Sequence, residues 1–167
     1  MIKIRPQNQS GDAQAIFTLN EAAFAEHGGT EAFDQFRTGR DDIVSLVAED
    51  QQQIIGHVLF SPVTLETPNG DIQGMGLGQL AVQPQHQNQG IGSLLSEQGI
   101  QQLRESKCPF IIVIGHASYY PRFGFSRGSL HNIACQWEHV PDETFMVLFL
   151  NEGDQHKLTG VARFDGL

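Results

Sequence analysis

Apolar residues recur along this chain with two periods, and the switches between them mark out its elements. Ile2-Lys3-Ile4-Arg5 alternates apolar and polar, as a half-buried strand does, and Pro6, with no N–H for a ladder, ends it. Past the cap residues Ser10-Gly11-Asp12, Ile16, Phe17, Leu19, Ala23 and Phe24 return at helical spacing, up to a break at His27-Gly28-Gly29-Thr30. Thr30 is placed to cap a second short helix carrying Phe33 and Phe36 on one face and Arg37 near its end, with Gly39 closing it. Ile43 to Ala48 and Ile54 to Leu65 are rich in Ile, Val, Leu and Thr and flank the polar tip Glu49 to Gln53, which predicts a hairpin. A turn at Thr67-Pro68-Asn69-Gly70-Asp71 leads to the third strand of an antiparallel meander, Met75 to Val82.

The helical period then returns. Ile91, Leu94, Leu95 and Leu103 form an apolar stripe in a helix running to about Ser106, with Glu97, Gln98, Gln101, Gln102 and Arg104 turned outward. Cys108-Pro109 breaks it, and Phe110 to Ile114 is a continuous apolar run, as a strand buried on both faces requires. Strand, helix and strand make a βαβ unit. Beyond Phe125 the pattern thins. Phe145 to Leu150 predicts a strand, Asn151 to Asp154 a turn, and Val161 to Phe164 a last short strand.

Composition narrows the picture. No Pro- or Ser-rich linker divides the 167 residues, so residues 1–167 are expected to form one domain. The formal net charge is −9 and the basic residues are scattered rather than grouped, which argues against nucleic acid as a partner. No apolar run approaches the ~20 residues of a bilayer span, and the start MIKIRPQNQ carries no apolar signal segment. Cys108 and Cys135 fit neither a CxxC pair nor a disulfide framework and read as reduced, partly buried thiols, so a cytoplasmic protein is expected. His131, His139 and Trp137 show no metal-ligand spacing, and no metal is expected. His57, mid-strand in IIGHVLF, reads as a half-buried or surface histidine rather than a catalytic one.

The stretch Leu77 to Leu95 carries the chemistry. Leu80-Ala81-Val82 is a compact strand end, Pro84 stops pairing, and Gly90 and Gly92 open a helix whose first N–H groups are free to hold an anion. A Walker loop needs Lys-Ser or Lys-Thr after its last glycine, but Ser93-Leu94 follows Gly92. A dinucleotide fingerprint needs a third glycine where Leu95 stands. What remains, Gln87-Asn88-Gln89-Gly90-Ile91-Gly92, resembles the (Arg/Gln)-x-x-Gly-x-(Gly/Ala) coenzyme A signature of the GNAT superfamily of N-acetyltransferases. Tyr119-Tyr120-Pro121-Arg122-Phe123-Gly124-Phe125 looks like the Phe-Tyr-x-x-x-Gly-Phe segment that follows the next strand in such enzymes.

The resemblance implies an α/β (α+β) fold: a mixed, mostly antiparallel central sheet of about six to seven strands with a splayed parallel pair and flanking helices. It implies acetyl-CoA as cosubstrate, with the backbone of Leu80, Ala81 and Val82 bonded to the pantetheine arm like an added strand. The pyrophosphate would rest on Gln87, Asn88, Gln89, Gly90, Ile91 and Gly92, with Tyr119 and Phe123 packed against the coenzyme. Tyr120 takes the place of the acid that protonates the leaving thiolate, and the Leu80 or Val82 N–H that of the oxyanion donor. Many relatives carry a carboxylate base on the strand where this chain has Gly78-Gln79, and an amide cannot serve. The remaining candidates for the base are Glu21, Glu26 and Glu31 on the early helices and His116 at the end of the next strand. The expected activity is direct acetyl transfer to an amine of a small molecule or protein. The alternative is a module that binds acyl-CoA without turning it over. A homodimer is an open expectation, since late strands of this fold often pair between subunits.

Overall fold

A computed structural model describes residues 1–26 and 30–166, with only the backbone of Asp154; the break expected at His27-Gly28-Gly29 lies outside them. The chain divides into two units, Met1–Phe60 with Gln79–Ile100, and Ser61–Gly78 with Gln101–Leu167.

The first unit holds β1 (Lys3–Pro6), α1 (Ala13–Ala23), α2 (Thr30–Arg37), β2 (Val44–Asp50), the start of β3 (Gln53–Thr67), the end of β4 (Gly70–Val82) and most of α3 (Ile91–Glu105). β1 pairs antiparallel with β2, and β2 with β3, in a register that sets Val47 opposite His57. The hairpin tip is tighter than its polar sequence suggests, because Gln51 and Gln52 take positive φ (48° and 67°) and let both strands run on. Ile16 and Leu19, the apolar stripe of α1, pack with Val47, Ile54 and Ala81, and Ala23 and Phe24 close over them. Asp12 stands at the start of α1, but its carboxylate caps no helical N–H. It accepts instead from Arg5 (2.6 and 3.1 Å) and from the Asn8 N–H (2.6 Å). Thr30 lies inside α2 rather than at its cap.

The second unit holds the rest of β3, β4 and α3 together with β5 (Phe110–Ile114), β6 (Ser126–Arg127), β7 (Ile133–Cys135), β8 (Phe145–Phe149) and β9 (Gly160–Phe164). β4 and β5 pair in parallel through Met75↔Ile111, Gly76↔Ile112 and Leu77↔Val113; the ladder ends there, while β4 continues to Val82. β5 pairs antiparallel with β8, β8 with β6, and β9 lies antiparallel to β3 and parallel to β7. The core is Val63, Leu65, Phe110, Ile112, Ile133, Phe145, Val147, Leu158, Ala162 and Phe164.

The sheet runs β1-β2-β3-β4-β5-β8-β6, with β9 beside β3 and β7 beside β9. It is mixed and mostly antiparallel, as expected, with nine strands among the described residues rather than six to seven. The additions, β6 and β7, are two and three residues long, too short for a period to show.

Candidate active site

The turn after β4 is built by glutamines. The Gln83 N–H donates to the Ile55 carbonyl (2.9 Å) and its side-chain amide to the Ile54 carbonyl (3.0 Å), fixing the end of β4 to β3. A single 3-10 turn, Pro84–His86, follows. The Gln87 side chain donates back to the Val82 carbonyl (3.0 Å) and Gln89 to that of Gln85 (3.2 Å). These amide donors brace the loop from within. Asn88 (φ 59°) and Gly90 (φ 85°) take left-handed backbone, and a Cβ at Gly90 would meet nothing within 4 Å, so the backbone there faces open space. α3 starts when the Leu94 N–H reaches the Gly90 carbonyl (3.0 Å). The Ile91 and Gly92 amides precede that first helical bond and lie at the positive end of the helix dipole. Residues 87–90 are exposed, Ala81 is buried, and Leu80 and Val82 are half-buried.

In the second unit, Tyr120–Phe123 form a 3-10 turn after β5 that is closed by left-handed Gly124, whose N–H donates to the Pro121 carbonyl (3.0 Å). Tyr120 is 8% exposed and meets Tyr119 edge-on at 5.1 Å and Phe125 at 5.8 Å between ring centroids. Tyr119 meets Phe123 at 5.4 Å. A Cβ at Gly115 would fall 2.4 Å from the Tyr120 ring, so only glycine lets that ring settle against the end of β5. Burial, with a smaller contribution from Tyr119, pushes the Tyr120 hydroxyl up to about 12. Arg122 stacks on Tyr119 (4.3 Å) and donates to its carbonyl (2.8 Å). His116 accepts the Tyr119 N–H with its carbonyl (3.0 Å), and its side chain is exposed.

The candidate bases are scattered. Glu21, Glu26 and Glu31 are all exposed, Glu31 in the first turn of α2. Gln79 is buried at 6% exposure, and its Oε1 accepts from the Asn20 amide (3.4 Å). Asn20 is 4% exposed, and its own Oδ1 has no partner among the described residues. The sequence reading passed over this residue. Its signal is position, one turn past Ile16 on the apolar stripe of α1, where a polar side chain must find a partner.

His57 is fully buried rather than half-buried or at the surface. The Ser45 hydroxyl donates to Gln7 Oε1 (2.6 Å) and lies 2.9 Å from His57 Nε2, so Nε2 carries the ring proton. Nδ1 is then a bare acceptor, without a partner among the described residues. Burial, aided by the Arg37 charge, pulls this imidazole down to about 3 and keeps it neutral. Cys108 and Cys135 are free and half-buried, and burial raises the Cys108 thiol. No three His, Cys, Asp or Glu side chains among the described residues converge on a point that could hold a metal ion. Nor is any described helix long and apolar enough to cross a membrane.

Residues 3–128 match the acetyltransferase (GNAT) domain family. The uncharacterized N-acetyltransferase YhbS of Escherichia coli K12 is 29% identical over 154 residues, which are 92% of this chain and 90% of YhbS. The crystal structure of E. coli YhbS in complex with CoA superposes with a TM-score of 0.86 at 28% identity, covering 98% of this chain and 89% of that one. A GNAT family acetyltransferase from Brucella melitensis in complex with acetyl-CoA gives 0.79 at 28% identity, covering 99% and 97%. With the glycine-opened turn after β4, the parallel β4–β5 ladder and the family match across most of the chain, this protein belongs to the GNAT family of N-acetyltransferases.

Proposed function

We propose that the protein transfers the acetyl group of acetyl-CoA directly to an amine. The observation that carries this is the turn between β4 and α3: exposed, opened by left-handed Gly90, and headed by the Ile91 and Gly92 amides. The family relatives solved with CoA and with acetyl-CoA support reading it as a pyrophosphate cradle. In this reading Gln87, Asn88, Gln89, Gly90, Ile91 and Gly92 hold the pyrophosphate. The backbone of Leu80, Ala81 and Val82 pairs with the pantetheine arm, and Tyr119 and Phe123 pack against the coenzyme. Tyr120, protonated throughout the working range, gives a hydrogen bond and then a proton to the leaving thiolate. The Leu80 or Val82 N–H receives the developing oxyanion. With Gln79 unable to act as base, His116 and Glu31, both exposed, are the side chains left to pass the amine's proton to water. The setting is the cytoplasm, without nucleic acid, membrane or metal, and the working form is a monomer or homodimer.

Gln79 also favours a second reading, a module that holds acyl-CoA without turning it over. Calorimetric titration with acetyl-CoA and dephospho-CoA, followed by thiol release against an amine panel, separates the two. Saturable binding of both ligands with amine-dependent thiol release and a new amide by mass spectrometry supports the transferase. Binding without thiol release supports the module, and no binding removes the cradle and both readings.

A further inference from the structure

Asn20, Gln79 and His57 share one side of the first unit. His57 stands opposite Val47 in the β2–β3 ladder, and residues opposite each other in an antiparallel pair point to the same face. Val47 packs with Ile16 and Leu19 of α1 and with Ala81, so this face is the one α1 covers. Gln79, two residues before Ala81 on β4, points the same way and meets Asn20 of α1. Two atoms on this face lack partners among the described residues, Asn20 Oδ1 and His57 Nδ1, and both are acceptors. A buried acceptor without a donor is unfavourable, so both atoms call for an N–H or O–H from a bound water or from a ligand that displaces it.

The face also tells what the donor's charge must be. Its inward polar groups are two amides and a neutral imidazole. From α2 comes the buried Arg37, paired with Asp34, and its charge already acts on His57. The carboxylates of the described residues around it are engaged elsewhere or exposed: Asp12 and Glu49 are held by Arg5, Asp50 by the N-terminal ammonium, Glu66 by Arg163 and Asp34 by Arg37, and Glu21, Glu31 and Asp71 are exposed. A cation placed here would lose its hydration without gaining a counter-charge. The overall charge of −9 attracts cations to the protein but supplies none of this local pairing.

We propose that Asn20, held by Gln79, receives the acceptor: its amide oxygen takes an N–H of an amine that arrives uncharged, so the enzyme selects weakly basic amines, such as the α-amino group of an amino acid or peptide, over alkylammonium ions. The proposal rests on the transferase reading and names its substrate class. The amine lone pair attacks the thioester carbonyl, the C–N bond forms and the C–S bond breaks. The thiolate takes one proton, and the nitrogen gives one up to water, so free thiol and amide leave in equal amounts. Asn20 accepts a hydrogen bond throughout and takes no proton.

The test compares amino-acid amides with n-alkylamines of similar size at pH 7.4, following thiol release and product mass. At that pH an amine of pKa ~7.8 is about one-quarter neutral and one of ~10.4 about one-thousandth, so kcat/KM per total amine should differ by about 300-fold. With the alkylamine, kcat/KM should climb about tenfold per pH unit. Gln79→Glu supplies the missing carboxylate and should narrow the gap at least about tenfold. Asn20→Leu, checked for folding by circular dichroism, should raise KM for the amine about tenfold while the acetyl-CoA Kd stays within about twofold. Equal kcat/KM for both amine classes at pH 7.4, or an unchanged amine KM in Asn20→Leu, overturns the proposal and leaves the transferase standing. No amine-dependent thiol release from the wild type brings down the transferase reading and this one with it.

Discussion

Replacing Tyr120 by Phe isolates one atom of the proposed chemistry. The ring sits among Tyr119, Phe123 and Phe125 and against Gly115, and phenylalanine keeps all those contacts. Because only the hydroxyl is removed and the ring packing stays, the substitution should move Tm by no more than about 2 °C. The catalytic cost follows from acidity. An ordinary thiol has a pKa of ~8.5, whereas burial holds this phenol at about 12. Full transfer to a thiolate of ordinary basicity is therefore uphill by about 3.5 units, or about 5 kcal/mol. What the phenol offers as the C–S bond breaks is chiefly a hydrogen bond to a charged sulfur, worth about 1.5–3 kcal/mol. Tyr120→Phe should accordingly lower kcat by about 10- to 150-fold, less than the largest effects of removing a general acid. The acetyl-CoA Kd from calorimetry should stay within about twofold, because the ring packing is unchanged. A phenol at about 12 also stays protonated across the assay range, so no alkaline limb of the pH–rate profile below pH ~11 belongs to it. A kcat within twofold of wild type, or a fall in coenzyme affinity that matches the fall in rate, refutes the acid role.

Gly90→Ala should weaken acetyl-CoA binding about three- to tenfold in calorimetry, since alanine at φ 85° costs about 1 kcal/mol or more and draws the turn toward other conformations; an unchanged Kd counts against the cradle. A Cβ on Gly99 would lie 2.2 Å from the fully buried Phe60 ring, so Gly99→Ala should destabilise by about 1–2 kcal/mol in urea even after its gain in helix propensity. Phe60→Leu should recover part of that loss in a double-mutant cycle, and additivity within about 0.5 kcal/mol speaks against the clash. Hydrogen bonds from Arg5 hold the Asp12 carboxyl below its usual range, so its contribution is present above the unfolded carboxylate pKa of ~3.9 and is lost as pH falls through the lower folded value. Asp12→Asn should therefore be less stable than wild type at pH 7, with the difference shrinking toward pH 2; a constant difference across that range contradicts the linkage.

The sequence was most legible where one physical requirement repeats along the chain. Phe110 to Ile114 had to be buried on both faces, and it is β5, apart from its exposed last residue. The stripe of Ile91, Leu94, Leu95 and Leu103 had to face a core; Ile91, Leu95 and Leu103 are buried in α3, while Leu94, at the edge of the stripe, is 37% exposed. Gly90 and Gly92 predict the opening of a helix, and α3 does begin at Ile91, directly after left-handed Gly90. β6 and β7 were not legible, because their existence depends on β8 and β9, chain neighbours only in space. The buried polar groups were missed for a related reason. His57 between Ile55 and Leu59, and Asn20 on the stripe of α1, read locally as substitutions in apolar patterns. Only the fold shows that one is bonded to Ser45 and the other to Gln79. Among the candidate bases, sequence distance could not show that Glu21, Glu26 and Glu31 face solvent.

The same physical choice recurs at the cradle and at the α1 face. In each, uncharged amides stand where a charged side chain is the more familiar solution. In the proposed cradle the anion's partners are to be backbone N–H groups at the start of α3, and the observed bonds fit that choice, since Gln87 and Gln89 spend their donors on the Val82 and Gln85 carbonyls and brace the turn. A lysine there would add attraction from solvent but could not brace those carbonyls at the same time. On the α1 face the argument runs through desolvation. With no cationic amine bound, a carboxylate at Gln79 or Asn20 would be buried without a free counter-charge, since Arg37 is already paired with Asp34, and would be driven toward its protonated form. An amide in the same volume keeps its acceptor oxygen at every pH. The face thus gives up the capacity to take a proton and keeps a fixed hydrogen-bonding geometry, which moves the requirement for a neutral nitrogen from the enzyme onto its substrate.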